Sequence, residues 1–163
     1  MKPKTVGRND GRMTARRHVE SSNGIMPGTL ILTLDGALPV ETLVPGDKII
    51  TRNTGLVELK AISHELEICE TVRIRAGSLG HDRPDSDTIL PSRQKVLIRD
   101  WRAKALYYAD QAMVDARRLV DGEYVRLQPR AQHMVFRLGF ESPQVIYADG
   151  LELACATAPV MAD

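Results

Sequence analysis

Aromatic side chains make up only 4% of this chain, so its core has to rest on leucine, valine and isoleucine. Cysteine is scarcer still. Cys69 and Cys155 are the only two, 86 positions apart, and they read as two buried thiols rather than as a disulfide framework. No run approaches the roughly 20 apolar residues of a membrane span. No apolar segment follows the early positive charges, so nothing supports a Sec signal peptide. The default expectation is a soluble cytoplasmic protein with no membrane contact, a non-Sec export route being left open. The four histidines, His18, His64, His81 and His133, share no spacing that marks a common site. No Cys/His cluster fits zinc, and neither a P-loop nor a dinucleotide fingerprint is present. No cofactor or metal is expected.

Hydrophobic residues form 43% of the 163 positions and charged ones 26%, which is ordinary globular usage. A chain of this length makes one domain burying roughly 70% of its unfolded surface. The net charge of +1 hides an asymmetry. Residues 1–23 carry six basic residues against Asp10 and Glu20, while the remainder carries 16 basic and 19 acidic ones. That pattern predicts a basic, disordered N-terminal tail over 1–23 on a mildly acidic domain. The tail has no aromatic for base stacking, so nucleic acid is not an expected partner.

The organising stretch is 23–36. A Pro27-Gly28 turn launches Thr29-Leu30-Ile31-Leu32-Thr33-Leu34, and Asp35-Gly36 stops it, which predicts a strand. Pro39 and Pro45 exclude a continuous helix between them, and Pro45-Gly46-Asp47 is a turn. Strands are expected over 48–52 and 56–63, and over 67–75 with Ile68, Val72 and Ile74 as one apolar face. Others are expected over 95–99, 123–127, 134–138 and 145–147. Residues 101–116 read as short elements rather than one helix. The polar loop 80–88 holds His81, Asp82, Asp85 and Asp87, yet lacks the glycine and distal glutamate of an EF-hand, so it reads as an ordinary solvated loop.

One internal echo bears on architecture. Leu43-Val44-Pro45-Gly46-Asp47-Lys48-Ile49 recurs 76 positions later as Leu119-Val120-Asp121-Gly122-Glu123-Tyr124-Val125. Each is a Leu-Val-x-Gly-acid turn feeding a strand. A period this long means a duplicated half-domain, not a solenoid. The chain therefore reads as all-β, with two similar halves and little helix.

With these pieces placed, the chain resembles a Hedgehog/intein (Hint) domain of the bacterial type. The residues that carry the resemblance are Pro27-Gly28-Thr29-Leu30-Ile31, Pro39-Val40-Glu41-Thr42-Leu43, Gly46-Asp47, 72–80, Val96-Leu97-Ile98-Arg99, 116–122 and Ala148-Asp149-Gly150-Leu151. The match spans 24–155, leaving 156–163 as a short C-terminal tail. It implies the Hint fold, a flat horseshoe of short strands with two pseudo-twofold-related halves. It also implies kinship with autoprocessing domains, including those of protein splicing. In these a first Cys or Ser attacks the preceding carbonyl, a histidine protonates the departing amide nitrogen, and donors hold the oxyanion.

Carried over position by position, that machinery is missing. The nucleophile position falls on Gly24, which has no side chain. The proton-donating histidine falls on Gln94, whose amide exchanges no proton near pH 7. Two further histidines fall on Arg137 and Pro143. The resemblance thus implies a degenerate, inactive member, not an enzyme, with vestigial positions Gly24, Gln94, Arg137 and Pro143. If the old pocket survives, G24C with Q94H is expected to restore some cleavage. Two alternatives stay open. One is a divergent self-cleaving domain, with Ser21 or Ser22 attacking and His133 the best placed of the histidines. The other is a binding module whose protein partner, unidentified, occupies the vestigial cleft. Asn23-Gly24 also reads as a flexible turn open to slow deamidation.

Overall fold

A computed structural model describes residues 23–156. The basic segment 1–22, with Ser21, Ser22 and His18, and the last residues 157–163 lie outside that range. Eleven strands and one short helix follow in order. They are β1 (Leu30–Thr33), β2 (Gly36–Pro39), β3 (Lys48–Thr51), β4 (Gly55–Glu58), β5 (Ala61–Ile74), β6 (Thr88–Pro91), β7 (Lys95–Ile98), α1 (Trp101–Tyr107), β8 (Ala112–Asp115), β9 (Val125–Gly139), β10 (Gln144–Ala148) and β11 (Leu151–Cys155). The fold is all-β, as the composition and turn pattern predict.

Two sheets form. One runs β2-β1-β3-β10-β11-β7-β8, with β4 hanging on β3; the other is β6-β5-β9. The long antiparallel pair β5 and β9 joins Ala61–Ile74 to Val125–Gly139. The sequence splits this ribbon into shorter pieces, because Glu, Arg and Gln interrupt its apolar positions. A ribbon exposed on one face tolerates such residues.

The echo has a structural counterpart. The β1/β2 hairpin leads into a 3-10 turn at Val40–Thr42, then the Gly46 turn and β3. The β7/β8 hairpin leads into a 3-10 turn at Ala116–Leu119, then the Gly122 turn and β9. Asp47 accepts the Val44 N–H through its carboxylate at 2.9 Å. Asp121 likewise caps the N–H groups of Glu123, Tyr124 and Val125 at 2.8–2.9 Å. An acidic residue in each turn is there to satisfy backbone donors that the turn leaves open.

Three expectations change. Residues 56–63 are not one strand: Leu59 and Lys60 break the run, and Leu59 is fully buried. Of the apolar members of 67–75, Val72 and Ile74 face inward but Ile68 does not. A register shift between Cys69 and Thr71 turns the alternation over, so Glu67 and Cys69 point inward before it and Val72 and Ile74 after it. One extra residue in a strand does this because side chains alternate with period two. The 80–88 loop is not merely solvated. Asp87 accepts the Ala76 N–H and pairs with Arg73, and Arg83 is buried.

The core is one large cluster drawing on both sheets, with Ile31, Ile49, Ile74, Leu90, Phe140 and Leu153 among its fully buried members, beside a small one of Met26, Cys69 and Val135. The Ala148–Leu151 motif makes the β10–β11 hairpin, with Asp149 and Gly150 both at positive φ, the conformation a two-residue hairpin needs. Asp149 also holds β1 and β6 together, accepting the Leu30 N–H at 3.0 Å and the Thr88 hydroxyl at 2.7 Å. Among the described residues no helix is long and apolar enough to cross a membrane.

Candidate functional site

The site forms where the chain enters the fold. Ile25 makes a two-bond antiparallel bridge with Phe136 of β9, N–H to carbonyl at 2.8 Å in each direction. This bridge lays Gly24 against β9 with φ at +131°, a region that favours glycine. A β-carbon built on Gly24 would stand 2.5 Å from Val135 Cγ1 and 2.7 Å from the Phe136 carbonyl oxygen. Neither neighbour has room to yield. Val135 is fully buried, and that oxygen already accepts the Ile25 N–H. Position 24 therefore lacks the space for a side chain as well as the side chain itself.

Gln94 ends the turn before β7 and is 4% exposed. Its Oε1 accepts the Gly24 N–H at 2.8 Å. Its Nε2 donates to the carbonyls of Ala154 at 2.9 Å and Lys95 at 3.1 Å. Acceptors on one end and a donor on the other fix which way the amide faces. The side chain ties the incoming chain, β7 and β11 to one another.

Arg137 of β9 supplies the third side. Its guanidinium forks onto Glu67 of β5, Nη1 to Oε2 at 2.5 Å and Nη2 to Oε1 at 2.9 Å, while Nε donates to Asn23 Oδ1 at 3.1 Å. Glu67 is fully buried. A two-pronged arginine pair gives a carboxylate taken out of water a hydrogen-bond donor on each oxygen.

Asn23, Gly24, Gln94, Phe136, Arg137 and Cys155 are among the residues around a cavity of about 60 Å³. Sites for drug-sized ligands run to roughly 300–1,000 Å³, so this space suits water. Cys155 is the last residue of β11 and lines this cavity. Loss of solvation pushes its thiol up to about 12, so it is protonated near neutrality. No disulfide joins it to Cys69, which is buried.

Of the four positions that the resemblance marks as vestigial, the structure brings Gly24, Gln94 and Arg137 together. Pro143 does not join them: it lies in the exposed turn between β9 and β10, where its carbonyl accepts from Asn53 Nδ2 at 3.4 Å. His133 stands opposite Glu67 on the β5/β9 ribbon, His64 packs its ring 5.2 Å from that of Phe136, and neither lines the cavity. Sequence reasoning missed Glu67. The available signal was an acidic residue two positions before a cysteine in an alternating strand, visible only once the register shift is known. Among the described residues no cluster of His, Cys, Asp and Glu could hold a metal ion.

An all-β fold of two echoing halves, with the entering chain clamped between β7, β9 and β11, defines an intein-like domain. Solved structures share it. The bacterial intein-like domain from Clostridium thermocellum is similar with a TM-score of 0.55 and 15% identity, over 83% of this chain and 99% of that one. A splice-inactive variant of the AceL NrdHF class 3 split intein gives 0.54 and 9%, over 85% and 100%. The Ssp DnaB mini-intein variant M86 gives 0.54 and 10%, over 86% and 98%. No curated protein sequence matches the chain. The sequence pattern of the Hint domain family matches residues 24–157, and the chain belongs to that family.

Proposed function

We propose that this is a Hint domain without autoprocessing chemistry, retained as a structural or interaction module. The observation that carries the reading is the hydrogen bond between Gly24 N–H and Gln94 Oε1, in a site where a β-carbon at position 24 would overlap Val135 and Phe136. An acyl shift needs a nucleophile on residue 24 and a proton for the departing nitrogen. Gln94 offers that nitrogen an acceptor, the opposite of a proton donor. Arg137 is bound to Glu67 and Asn23, and a guanidinium releases no proton near neutrality. Cys155 shares the cavity, but as a protonated thiol it is a poor nucleophile.

The former cleft has become a joint. Its small volume favours a partner that grips the rim at Asn23 and Arg137 over a ligand that enters it. The test is to place a reporter before residue 1 and follow intact mass for hours at pH 7–8, with and without added thiol. The reading predicts one unchanged species. A fragment beginning at Gly24, or any scission that thiol accelerates, overturns it.

A further inference from the structure

Away from the Gly24 joint, three arginines converge on one buried carboxylate. Glu152 on β11 is 2% exposed. Its Oε2 accepts from Arg52 Nη1 at 2.7 Å and its Oε1 from Arg83 Nη1 at 3.1 Å, while Arg99 forms an ion pair with Oε1, its Nε at 3.3 Å. These arginines come from three places: the end of β3, the 80–88 loop and the end of β7. Asp100 is the next carboxylate, and it is engaged with Arg102. The group therefore holds two positive charges that its own acid does not offset.

A surplus of this kind is costly for structure alone. Arg83 is almost wholly buried, and its Nε meets no acceptor. Burial holds its guanidinium below its usual range, with Arg99 pushing the same way. A buried polar atom with no partner loses its solvation without compensation. Replacing arginines at such a point with neutral side chains would remove charge repulsion, so their presence together points outward. Arg52 and Arg99 are each about one-third exposed, at 32% and 36%. They pair with opposite oxygens of one carboxylate, so both guanidinium groups flank the same partly exposed point. Gln111 Oε1 accepts from Arg52 Nη2 at 2.9 Å.

We propose that Arg52, Arg83 and Arg99 around Glu152 form a binding site for a dianionic oxyanion, a phosphoryl group. The phosphoryl group takes bonds from Arg52 and Arg99 on the open side, Arg83 supplies buried positive charge behind them, and Glu152 holds the three in place. The same chemistry is presented by free phosphate and by a phosphorylated partner.

The test uses the full chain with inorganic phosphate as first probe, against sodium chloride at equal ionic strength. Thermal unfolding and the Nε–Hε resonances of the arginines are both followed. A saturable rise in midpoint beyond that of chloride is expected, with shifts at the Arg52 and Arg99 resonances. Arg99→Gln and Arg52→Gln should each weaken phosphate binding at least about tenfold, the loss of one charge-assisted bond. Arg130→Gln, on the other sheet, should leave it unchanged. A phosphoserine peptide and its unphosphorylated form then identify the source. Tighter binding of the phosphopeptide than of inorganic phosphate marks a protein partner, and equal binding marks a free anion. Phosphate acting no differently from chloride overturns the site. So does a response that survives in both arginine variants, which means an adventitious ion only. Where a variant does not fold, the resonance shifts of the unaltered chain decide, and perturbation confined to other arginines contradicts the proposal.

Discussion

Replacing Gly24 by alanine should be among the most damaging single-methyl additions in this protein. Two costs add. A non-glycine residue forced to positive φ loses about 1–2 kcal/mol, and Gly24 sits at +131°. The new methyl would also stand 2.5 Å from Val135 Cγ1 and 2.7 Å from the Phe136 oxygen. Overpacking of this sort costs about 1–3 kcal/mol. Relief by movement is blocked, because shifting that oxygen breaks the Ile25 bridge that positions the entering chain. The expected loss for Gly24→Ala is therefore about 2–5 kcal/mol. Gly28→Ala is the control: Gly28 has φ +87° but open space around its α-carbon, so it should lose only about 1–2 kcal/mol. Urea unfolding at unchanged m-value measures both. If Gly24→Ala costs less than about 1 kcal/mol, or no more than Gly28→Ala, the packing argument at the joint is wrong.

Four further outcomes follow from the same contacts. G24C with Q94H, the pair that would restore the missing groups, should yield no scission in an intact-mass assay, because the cysteine β-carbon has no room. Glu67→Gln should destabilise by about 2–3 kcal/mol in urea unfolding, below the 3–5 of a fully buried pair because Arg137 is 28% exposed. Three backbone N–H donors hold the Asp121 carboxyl below its usual value of 3.8 even though burial pushes it the other way. A carboxyl lowered by folding stabilises above its unfolded value and loses that contribution as pH falls through the folded one. Stability should therefore drop as pH falls below about 4, less steeply in Asp121→Asn, as acid titration by circular dichroism would show. Finally, Cys155 should resist a thiol reagent at pH 8 in the folded chain and react on unfolding, given a thiol held up to about 12.

Much of the fold was legible because turn chemistry is local. Pro27-Gly28, Pro45-Gly46-Asp47 and Asp149-Gly150 announce strand ends through residues whose backbone preferences need no tertiary context. The echo between 43–49 and 119–125 was visible for the same reason: both copies keep a Leu-Val-x-Gly-acid turn, although the acid that caps is Asp47 in one and Asp121, two positions earlier in the repeat, in the other. The site was legible in part. Gly24 and Gln94 could be paired because ordered motifs on either side fixed their positions, while Pro143 lay in a turn with no such anchor. Glu67 was hidden by the register shift at Cys69/Thr71, since a parity change of one residue leaves no mark on local composition. Arg83 and Glu152 pair across 69 positions, a distance at which a lone charge in sequence says nothing about its partner.

On the proposed reading, the old reaction site is a structural joint closed by Gln94. Hydrogen exchange at the Gly24 amide measures that joint directly. In the folded chain its N–H should exchange only through near-global opening, as slowly as the core amide of Phe136, and Gln94→Ala should speed it by at least about tenfold, the loss of one buried hydrogen bond. Fast exchange of Gly24 in the unaltered chain, or exchange indifferent to Gln94, would contradict it.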